Sequence, residues 1–205
     1  MIAIIDYEAG NLTSVELAVR YLGFDCVVTQ DPAAIAGAER VIFPGVGAAG
    51  SAVANCRRLG LSAALSDAVA RGVPTLGICL GCQIILSRSE EDGGTDCLGL
   101  VPGSVVRFAL PAECKIPHMG WNDVTFEPHP VFVGIEQGLD FYFVHSFYTV
   151  PDDDGMILGR TDYGGFTFAS ALGRGNLVAT QFHPEKSGRF GLRLLDNFLH
   201  WSGKC

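Results

Sequence analysis

Short apolar segments without polar alternation are the feature that most constrains the fold of this 205-residue chain. Four of them precede residue 80, and they read IAIID (2–6), CVVTQ (26–30), RVIFPG (40–45) and PTLGIC (74–79). Strands of parallel sheets are hydrophobic on both faces, because helices cover both sides of such a sheet. The four segments therefore predict buried strands of a parallel sheet.

The sequence between these segments carries helix signals. Apolar residues recur before Gly23 at Val15, Leu17, Val19 and Leu22. A second helix is predicted over roughly residues 60–71, because Gly72 and Pro74 stop it. Alternating strands and helices are typical of βαβ units.

The pattern changes after about residue 103, where short strand-like segments follow one another. They are SVVRF, NDVTF, FYFVHSF, MILGRT, FTFASAL and LVATQF, with a GRGN turn at 173–176. These segments predict hairpins and mixed sheet, and residues 188–201 have the apolar spacing of an amphipathic helix. We predict one α/β domain over residues 1–205, with a largely parallel central sheet flanked by helices and a mixed or antiparallel C-terminal part.

Composition narrows the class of protein. A net charge of −8 and the lack of a Lys/Arg cluster disfavour nucleic-acid binding. No apolar segment approaches the roughly 20 residues of a membrane span, and the N-terminus lacks a basic region and meets Asp6, so it makes a poor signal peptide. The odd number of seven cysteines indicates reduced thiols. We expect a cytoplasmic protein.

The segment GICLGCQ, at residues 77–83, places Cys79 between the predicted strand PTLGIC and a predicted helix beginning LGCQIILSRS. Gly77 and Gly81 allow the sharp turn that pushes a nucleophile out of a sheet, as in the serine elbow of hydrolases. A helix N-terminus at this point favours a thiolate. The segment predicts a cysteine nucleophile.

Cys79 and Cys82 also form a CxxC pair, which is found in redox and zinc sites. Redox motifs usually have a proline or an aromatic residue between the cysteines, whereas Leu80 and Gly81 stand here. A zinc site would need two further ligands at matching spacing, and the sequence has no second CxxC and no HxxxH. These two interpretations remain alternatives, and the nucleophile is favoured with Cys82 as a small core residue.

A cysteine nucleophile needs a base, and QFHPEKS at 181–187 offers His183 with Glu185 two residues later. On an extended segment this spacing places both side chains on one side, so that the carboxylate can orient the imidazole. An isolated HxE by itself is more often a surface turn.

GICLGCQ together with QFHPEKS resembles the signature of class I, or triad, glutamine amidotransferases. Further segments are similar to one family of that class, the glutaminase subunits of imidazole glycerol phosphate synthase. They are DYEAGNL (6–12), PGVG (44–47), PHMGWN (117–122) and FYFVHSFY (141–148). The similarity extends over essentially the whole chain.

The resemblance implies a reaction and a site. Cys79 would be the nucleophile, His183 the general base and acid, and Glu185 the residue that orients it. Glutamine would be hydrolysed to glutamate and ammonia through a thioester, without a cofactor or a metal, and backbone N–H groups of Val46 and Leu80 would stabilise the oxyanions.

Binding residues are implied in the same way. Positions that match glutamine-binding residues of the family are Gly47, Gln83, His145, Ser146 and Phe147. Positions that match the interface with the cyclase, a TIM-barrel subunit, are Asn11, Trp121, Tyr142 and Lys186. The resemblance thus implies a heterodimer in which ammonia passes to the cyclase, which makes imidazole glycerol phosphate and AICAR from PRFAR in histidine biosynthesis.

Three residues depart from the family pattern. Glu8 stands where glycine is common, Cys82 where methionine is common and Phe147 where tyrosine is common. Two alternatives also stay open: a related glutaminase that feeds another synthase, for instance one that amidinates a surface sugar, and a CxxC redox module.

Overall fold

The computed structural model describes residues 1–8 and 12–204, and its first half alternates strands and helices. These elements are β1 (Ile2–Ile5), α1 (Leu12–Tyr21), β2 (Cys26–Thr29), α2 (Pro32–Ala36), β3 (Arg40–Gly45), α3 (Ala49–Arg58), α4 (Leu61–Ala70), β4 (Thr75–Cys79) and α5 (Leu80–Ile84).

The strands of this half lie in the order β2, β1, β3, β4, and every neighbouring pair is parallel. The last pair places Gly45, at the end of β3, beside Cys79, at the end of β4. The parallel sheet predicted from the apolar segments is confirmed. Its carboxyl edge is the place where such sheets bind ligands.

The second half contains nine strands and one α-helix within the described residues. They are β5 (Arg88–Ser89), β6 (Thr95–Asp96), β7 (Gly103–Arg107), β8 (His118–Phe126), β9 (Leu139–His145), β10 (Phe147–Pro151), β11 (Ile157–Tyr163), β12 (Phe166–Arg174), β13 (Leu177–Thr180) and α6 (Gly188–His200).

β13 joins the two halves, because it pairs in parallel with β4 and antiparallel with β12. Beyond it, β10 and β7 continue the sheet, and β11, β8 and β9 form an antiparallel branch. The β8–β9 pair places His118 opposite His145. The mixed C-terminal part is therefore also confirmed.

Two apolar clusters cover the two faces of the parallel strands. Along β1, Ile2 and Ile4 belong to one cluster, and Ala3 and Ile5 belong to the other. Helices α1 and α6 contribute to the first cluster, and α3, α4 and α5 contribute to the second. In the described part of the chain, no helix is long and apolar enough to cross a membrane.

One helix position differs from the sequence pattern. The apolar spacing of the first helix includes Leu17, but the Leu17 side chain is 61 % exposed. The buried residues of α1 are Val15, Ala18 and Val19, which share a face at 3.6 residues per turn. Leu17 lies on another face because it is only two residues from Val15.

The structure contains two helices that the sequence pattern does not predict. The buried face of α3 is made of small side chains, Ala49, Ala52, Val53 and Cys56, so its apolar periodicity is weak. Helix α2 has a signal that was overlooked: Asp31 caps it, accepting a hydrogen bond from the Ala33 backbone N–H at 2.9 Å.

Candidate active site

Cys79 occupies the sharp turn between β4 and α5, with φ 54° and ψ −108°. A side chain on Gly81 would overlap the Phe43 carbonyl, and one on Gly77 would press on Ala179. Close packing therefore requires glycine at 81 and leaves little space for a side chain at 77, and the predicted order of strand, nucleophile and helix is present. The helix is shorter than predicted, because it ends at Ile84.

His183 and Glu185 are paired, since His183 Nδ1 lies 2.8 Å from Glu185 Oε1 and both side chains are 3 % exposed. The prediction that both project from one extended segment is wrong. The backbone is extended at His183 and then enters a 3₁₀ turn at Pro184–Lys186. The turn, favoured by proline at its first position, brings the carboxylate back to the imidazole.

The pairing defines the tautomer of His183. A carboxylate only accepts hydrogen bonds, so Nδ1 donates to Glu185. Nε2 is buried and has no hydrogen-bond partner among residues 1–8 and 12–204. This nitrogen is therefore the one that can exchange a proton with the nucleophile.

Electrostatics favour a protonated His183. Burial lowers its pKa, but the neighbouring Cys79 sulfur and the Glu185 carboxylate outweigh burial and raise the pKa to about 9. An imidazolium beside a cysteine stabilises the thiolate, which is the reactive form of the side chain.

A cleft of about 320 Å³ opens in front of the Cys79 turn. Its walls contain all seven of the predicted oxyanion-hole and glutamine-binding residues: Val46, Gly47, Leu80, Gln83, His145, Ser146 and Phe147. Leu80 is the first residue of α5, a position whose backbone N–H has no partner within a helix. Gly47 has φ 115°, a conformation that favours glycine.

Gln83 contributes to the cleft through its contacts with neighbouring residues. Its Nε2 group donates to the Phe147 carbonyl at 2.9 Å and to Gln181 Oε1 at 3.0 Å. The side chain is 6 % exposed. Gln83 thus fixes the backbone of one cleft wall.

Two charged residues of the cleft were missed by sequence reasoning. Glu91 and Arg107 both line it. Glu91 Oε2 accepts a hydrogen bond from the Ala49 N–H at 2.7 Å, and the Arg107 guanidinium carbon lies 5.9 Å from the Phe147 ring centroid. Neither residue has a local sequence signal, because folding brings both segments to the cleft.

Behind the nucleophile lies a buried hydroxyl. Tyr7 is fully buried, and its hydroxyl lies against the Cα of Gly45, where any side chain would overlap it. The hydroxyl has no hydrogen-bond partner within the described ranges. Burial, with smaller contributions from Cys56 and Cys79, raises the pKa of Tyr7.

The second cysteine of the pair does not share the environment of the first. Cys82 is fully buried, and burial, with a smaller effect from Cys79, raises its pKa. A buried, protonated thiol is a poor nucleophile and a poor ligand. Among the residues with described positions, no group of three or more His, Cys, Asp or Glu side chains could hold a metal.

The predicted interface residues Trp121, Tyr142 and Lys186 form one surface group. The Trp121 and Tyr142 ring centroids are 6.0 Å apart, and Lys186 Nζ lies 5.9 Å from the Tyr142 ring centroid. Trp121 and nearby Met119 are 57 % and 62 % exposed. The fourth predicted position, Asn11, lies outside the described residues.

Comparison with known proteins agrees with this geometry. A family model described as glutamine amidotransferase class-I matches residues 3–201. The fold and the cleft thus define a class-I glutamine amidotransferase. Proteins named imidazole glycerol phosphate synthase subunit HisH are similar throughout, and the chain belongs to their family.

The degree of similarity is high in these relatives. The protein of Moorella thermoacetica is 54 % identical over 198 residues, covering 96 % of this chain and 93 % of that protein. The protein of Rhodopirellula baltica is 49 % identical over 198 residues, with 97 % and 96 % coverage.

Solved structures support the fold at lower identity. A crystal structure of a glutamine amidotransferase matches with a TM-score of 0.74 at 20 % identity, covering 99 % of this chain and 100 % of that one. The structure of PurLQS from Thermotoga maritima matches with a TM-score of 0.72 at 22 % identity, covering 97 % and 96 %.

Proposed function

We propose that this chain is the glutaminase subunit of imidazole glycerol phosphate synthase, acting with Cys79 as nucleophile and His183 and Glu185 as its base and orienting residue. The proposal rests on one observation: the Cys79 sulfur neighbours the buried His183 imidazole, which is paired with Glu185 and whose Nε2 has no hydrogen-bond partner among the described residues. The chain's HisH relatives supply the choice of synthase.

The geometry supports a two-step hydrolysis. The Cys79 thiolate attacks the side-chain amide carbon of glutamine, and imidazolium His183 gives its Nε2 proton to the departing ammonia. Water then attacks the thioester, with neutral His183 taking a proton from it, and glutamate leaves. Glu185 holds the ring in the required orientation through both steps, and in the neutral form it keeps the proton on Nδ1.

Each step forms an oxyanion. We assign its stabilisation to the backbone N–H groups of Val46 and Leu80, because both residues line the cleft together with Cys79. Losing one such donor typically lowers the rate by about 10²–10³.

Recognition of glutamine as an amino acid requires both charges of its zwitterion. Glu91 offers a carboxylate to the α-ammonium group, and Ser146, Phe147 and Gln83 line the same cleft. Gly47 leaves room beside the oxyanion position, because it has no side chain.

We further propose that the partner is a TIM-barrel cyclase that binds over Trp121, Tyr142, Lys186 and Asn11 and takes up ammonia before water can protonate it. Aromatic residues and methionine are enriched at protein interfaces, and Trp121 and the neighbouring Met119 are exposed here. We propose that the complex works in the cytoplasm.

The test is glutamate release from glutamine by the purified chain, alone and with an imidazole glycerol phosphate cyclase plus that enzyme's nucleotide substrate. We expect strong stimulation by the cyclase and its substrate, and no turnover in Cys79→Ala. Cysteine-dependent hydrolysis without stimulation would instead point to a different synthase.

Cys82→Ala separates the glutaminase from a redox module. The amidotransferase chemistry predicts near-normal turnover in this variant, because the thiol of Cys82 is buried and protonated. Loss of activity in Cys82→Ala with normal folding would return the dithiol to consideration.

A further inference from the structure

A hydrogen-bonded chain of side chains runs from the cleft wall into the interior. His145 Nδ1 lies 2.8 Å from the Phe147 carbonyl, and His145 Nε2 lies 3.0 Å from His118 Nδ1. His118 Nε2 lies 3.2 Å from Asn122 Nδ2, which also donates to the Asp162 carbonyl at 2.8 Å.

The direction of every bond in this chain is determined. A carbonyl only accepts, so His145 Nδ1 carries the proton and Nε2 of the neutral ring accepts. His118 must then donate from Nδ1 and accept at Nε2. Asn122 supplies that donor, and its orientation is fixed because Oδ1 accepts from the Asp123 N–H at 3.0 Å.

Both rings are held neutral and immobile. Burial lowers the pKa of His118 to about 4, and burial together with nearby histidines lowers the pKa of His145 to about 3. The His118 ring is stacked between Phe143 and Tyr163, with centroid distances of 4.8 and 4.1 Å. Burial thus favours the neutral form of both rings, and stacking restricts the position of the His118 ring.

One end of the chain is the backbone of the cleft. The Phe147 carbonyl accepts from both His145 and Gln83, so two buried side chains hold it. Ser146 lies between the two anchored residues and lines the cleft with them.

The other end lies on β8, where the side chains alternate between two surroundings. His118 is buried and Asn122 is half-buried, and both take part in these hydrogen bonds. Met119 and Trp121, in contrast, are exposed. His118 therefore lies on the same strand as the exposed side chains of Met119 and Trp121.

We propose that His118 is a positioning residue for the glutamine cleft, which fixes the tautomer of His145 and so the backbone of residues 145–147, and which couples that backbone to the exposed side chains of β8. The expected effect on glutamine hydrolysis rests on the proposed function, whereas the predicted tautomer of His145 does not. His118 touches no substrate atom in this role.

The first test measures the tautomer, using ¹⁵N-labelled wild-type chain and long-range ¹H–¹⁵N NMR of the imidazoles. We expect His145 to be neutral with its proton on Nδ1, and His118 likewise. A charged His145, or one protonated on Nε2, would overturn the proposal whether or not the chain hydrolyses glutamine.

The second test compares two variants in the glutaminase assay with the cyclase present. His118→Asn keeps an N–H donor near the position of Nδ1, whereas His118→Leu is of similar size and has none. We expect KM for glutamine to rise about tenfold in the leucine variant, as for loss of one hydrogen bond, with a much smaller change in kcat and partial rescue in the asparagine variant.

Asn122→Ala keeps the proposal testable if His118→Leu does not fold, because Asn122 is partly exposed and its loss leaves His118 in place. We expect a population of His145 protonated on Nε2 and a raised KM in this variant. Reduced thermal stability with unchanged KM and unchanged His145 tautomer would show that these hydrogen bonds only stabilise the fold.

Discussion

At the scale of single residues, His183 shows how opposing effects set the chemistry of one side chain. Burial alone would keep the imidazole neutral, yet the adjacent sulfur and carboxylate raise its pKa to about 9. The protonated form that results is the one that can give a proton to departing ammonia. The role of Glu185 follows from the same contact, because it determines which nitrogen faces the nucleophile.

We expect His183→Ala to reduce kcat more than Glu185→Gln does. The alanine variant loses the acid and base themselves, whereas glutamine can still accept the Nδ1 hydrogen bond through its amide oxygen and loses only charge. Steady-state glutaminase kinetics with the partner present measure both effects. Equal, wild-type activity in the two variants would refute the triad.

Tyr7 illustrates a different residue-scale effect, because its buried hydroxyl finds no partner in residues 1–8 and 12–204, and such a hydroxyl destabilises the folded state by roughly 1–3 kcal/mol. We expect Tyr7→Phe to raise the free energy of unfolding by about 1 kcal/mol, measured by urea denaturation. Tyr163→Phe is the matched control, because the Tyr163 hydroxyl donates to the Lys115 carbonyl at 2.8 Å. That variant should lose stability, and a loss in Tyr7→Phe of the same size would mean that its hydroxyl is bonded.

At the scale of elements, helix α5 can pack closely against strand β3 because residue 81 is a glycine and has no side chain. A Cβ at residue 81 would overlap the Phe43 carbonyl, and backbone cannot yield as a flexible side chain does. Gly81 lies two residues after Cys79, so a shift of α5 away from β3 would also move the Cys79 turn. A single methyl group therefore affects both packing and chemistry.

Gly81→Ala is expected to lower the free energy of unfolding by about 1–3 kcal/mol or more, as overpacking does, and to lower glutaminase activity further than stability alone explains. Gly37→Ala is the control, because Gly37 has φ −88° and an added Cβ would meet only ordinary contacts at 3.6 Å. Denaturation and kinetics of the two variants provide the measurement. Similar behaviour of both would contradict the close-packing argument.

Elements also show what sequence could and could not supply. The β4 strand and the Cys79 turn were predictable because apolar runs and flanking glycines are local signals. The pairing of His183 with Glu185 was predictable. The 3₁₀ turn that brings them together was not, because the two-residue spacing fits both an extended segment and a turn. Glu91 and Arg107 reach the cleft only through the tertiary arrangement of β5, β7 and their connections, which no local pattern encodes.

At the scale of the whole molecule, buried histidines make the free energy of unfolding depend on pH in both the acidic and the alkaline range. His118 and His145 have folded-state pKa values of about 4 and about 3, below the unfolded value of about 6.5. As pH falls below 6.5, the unfolded chain therefore binds protons that the folded chain does not bind. The free energy of unfolding decreases in this range. His183 has the opposite shift, so its stabilisation is complete below about pH 6.5 and is lost as pH rises through about 9.

We expect the free energy of unfolding to be greatest near pH 6.5 and to fall on either side, by up to about 1.4 kcal/mol per pH unit for each group. Urea denaturation between about pH 4.5 and 9.5 measures the profile. His118→Asn should reduce the acidic slope, and His183→Ala should reduce the alkaline slope. Stability that stays constant below pH 6.5 would contradict the burial of two neutral histidines.

The backbone at Cys79 has a consequence for how this chain can change over generations. Its φ of 54° is one that glycine adopts freely and other residues adopt at a cost of roughly 1–3 kcal/mol. Selection for folding alone would thus favour glycine at position 79, whereas selection for activity maintains cysteine there. Cellular abundance is consequently a misleading measure of fitness at this site, because an inactive lineage could accumulate more protein than its active ancestor.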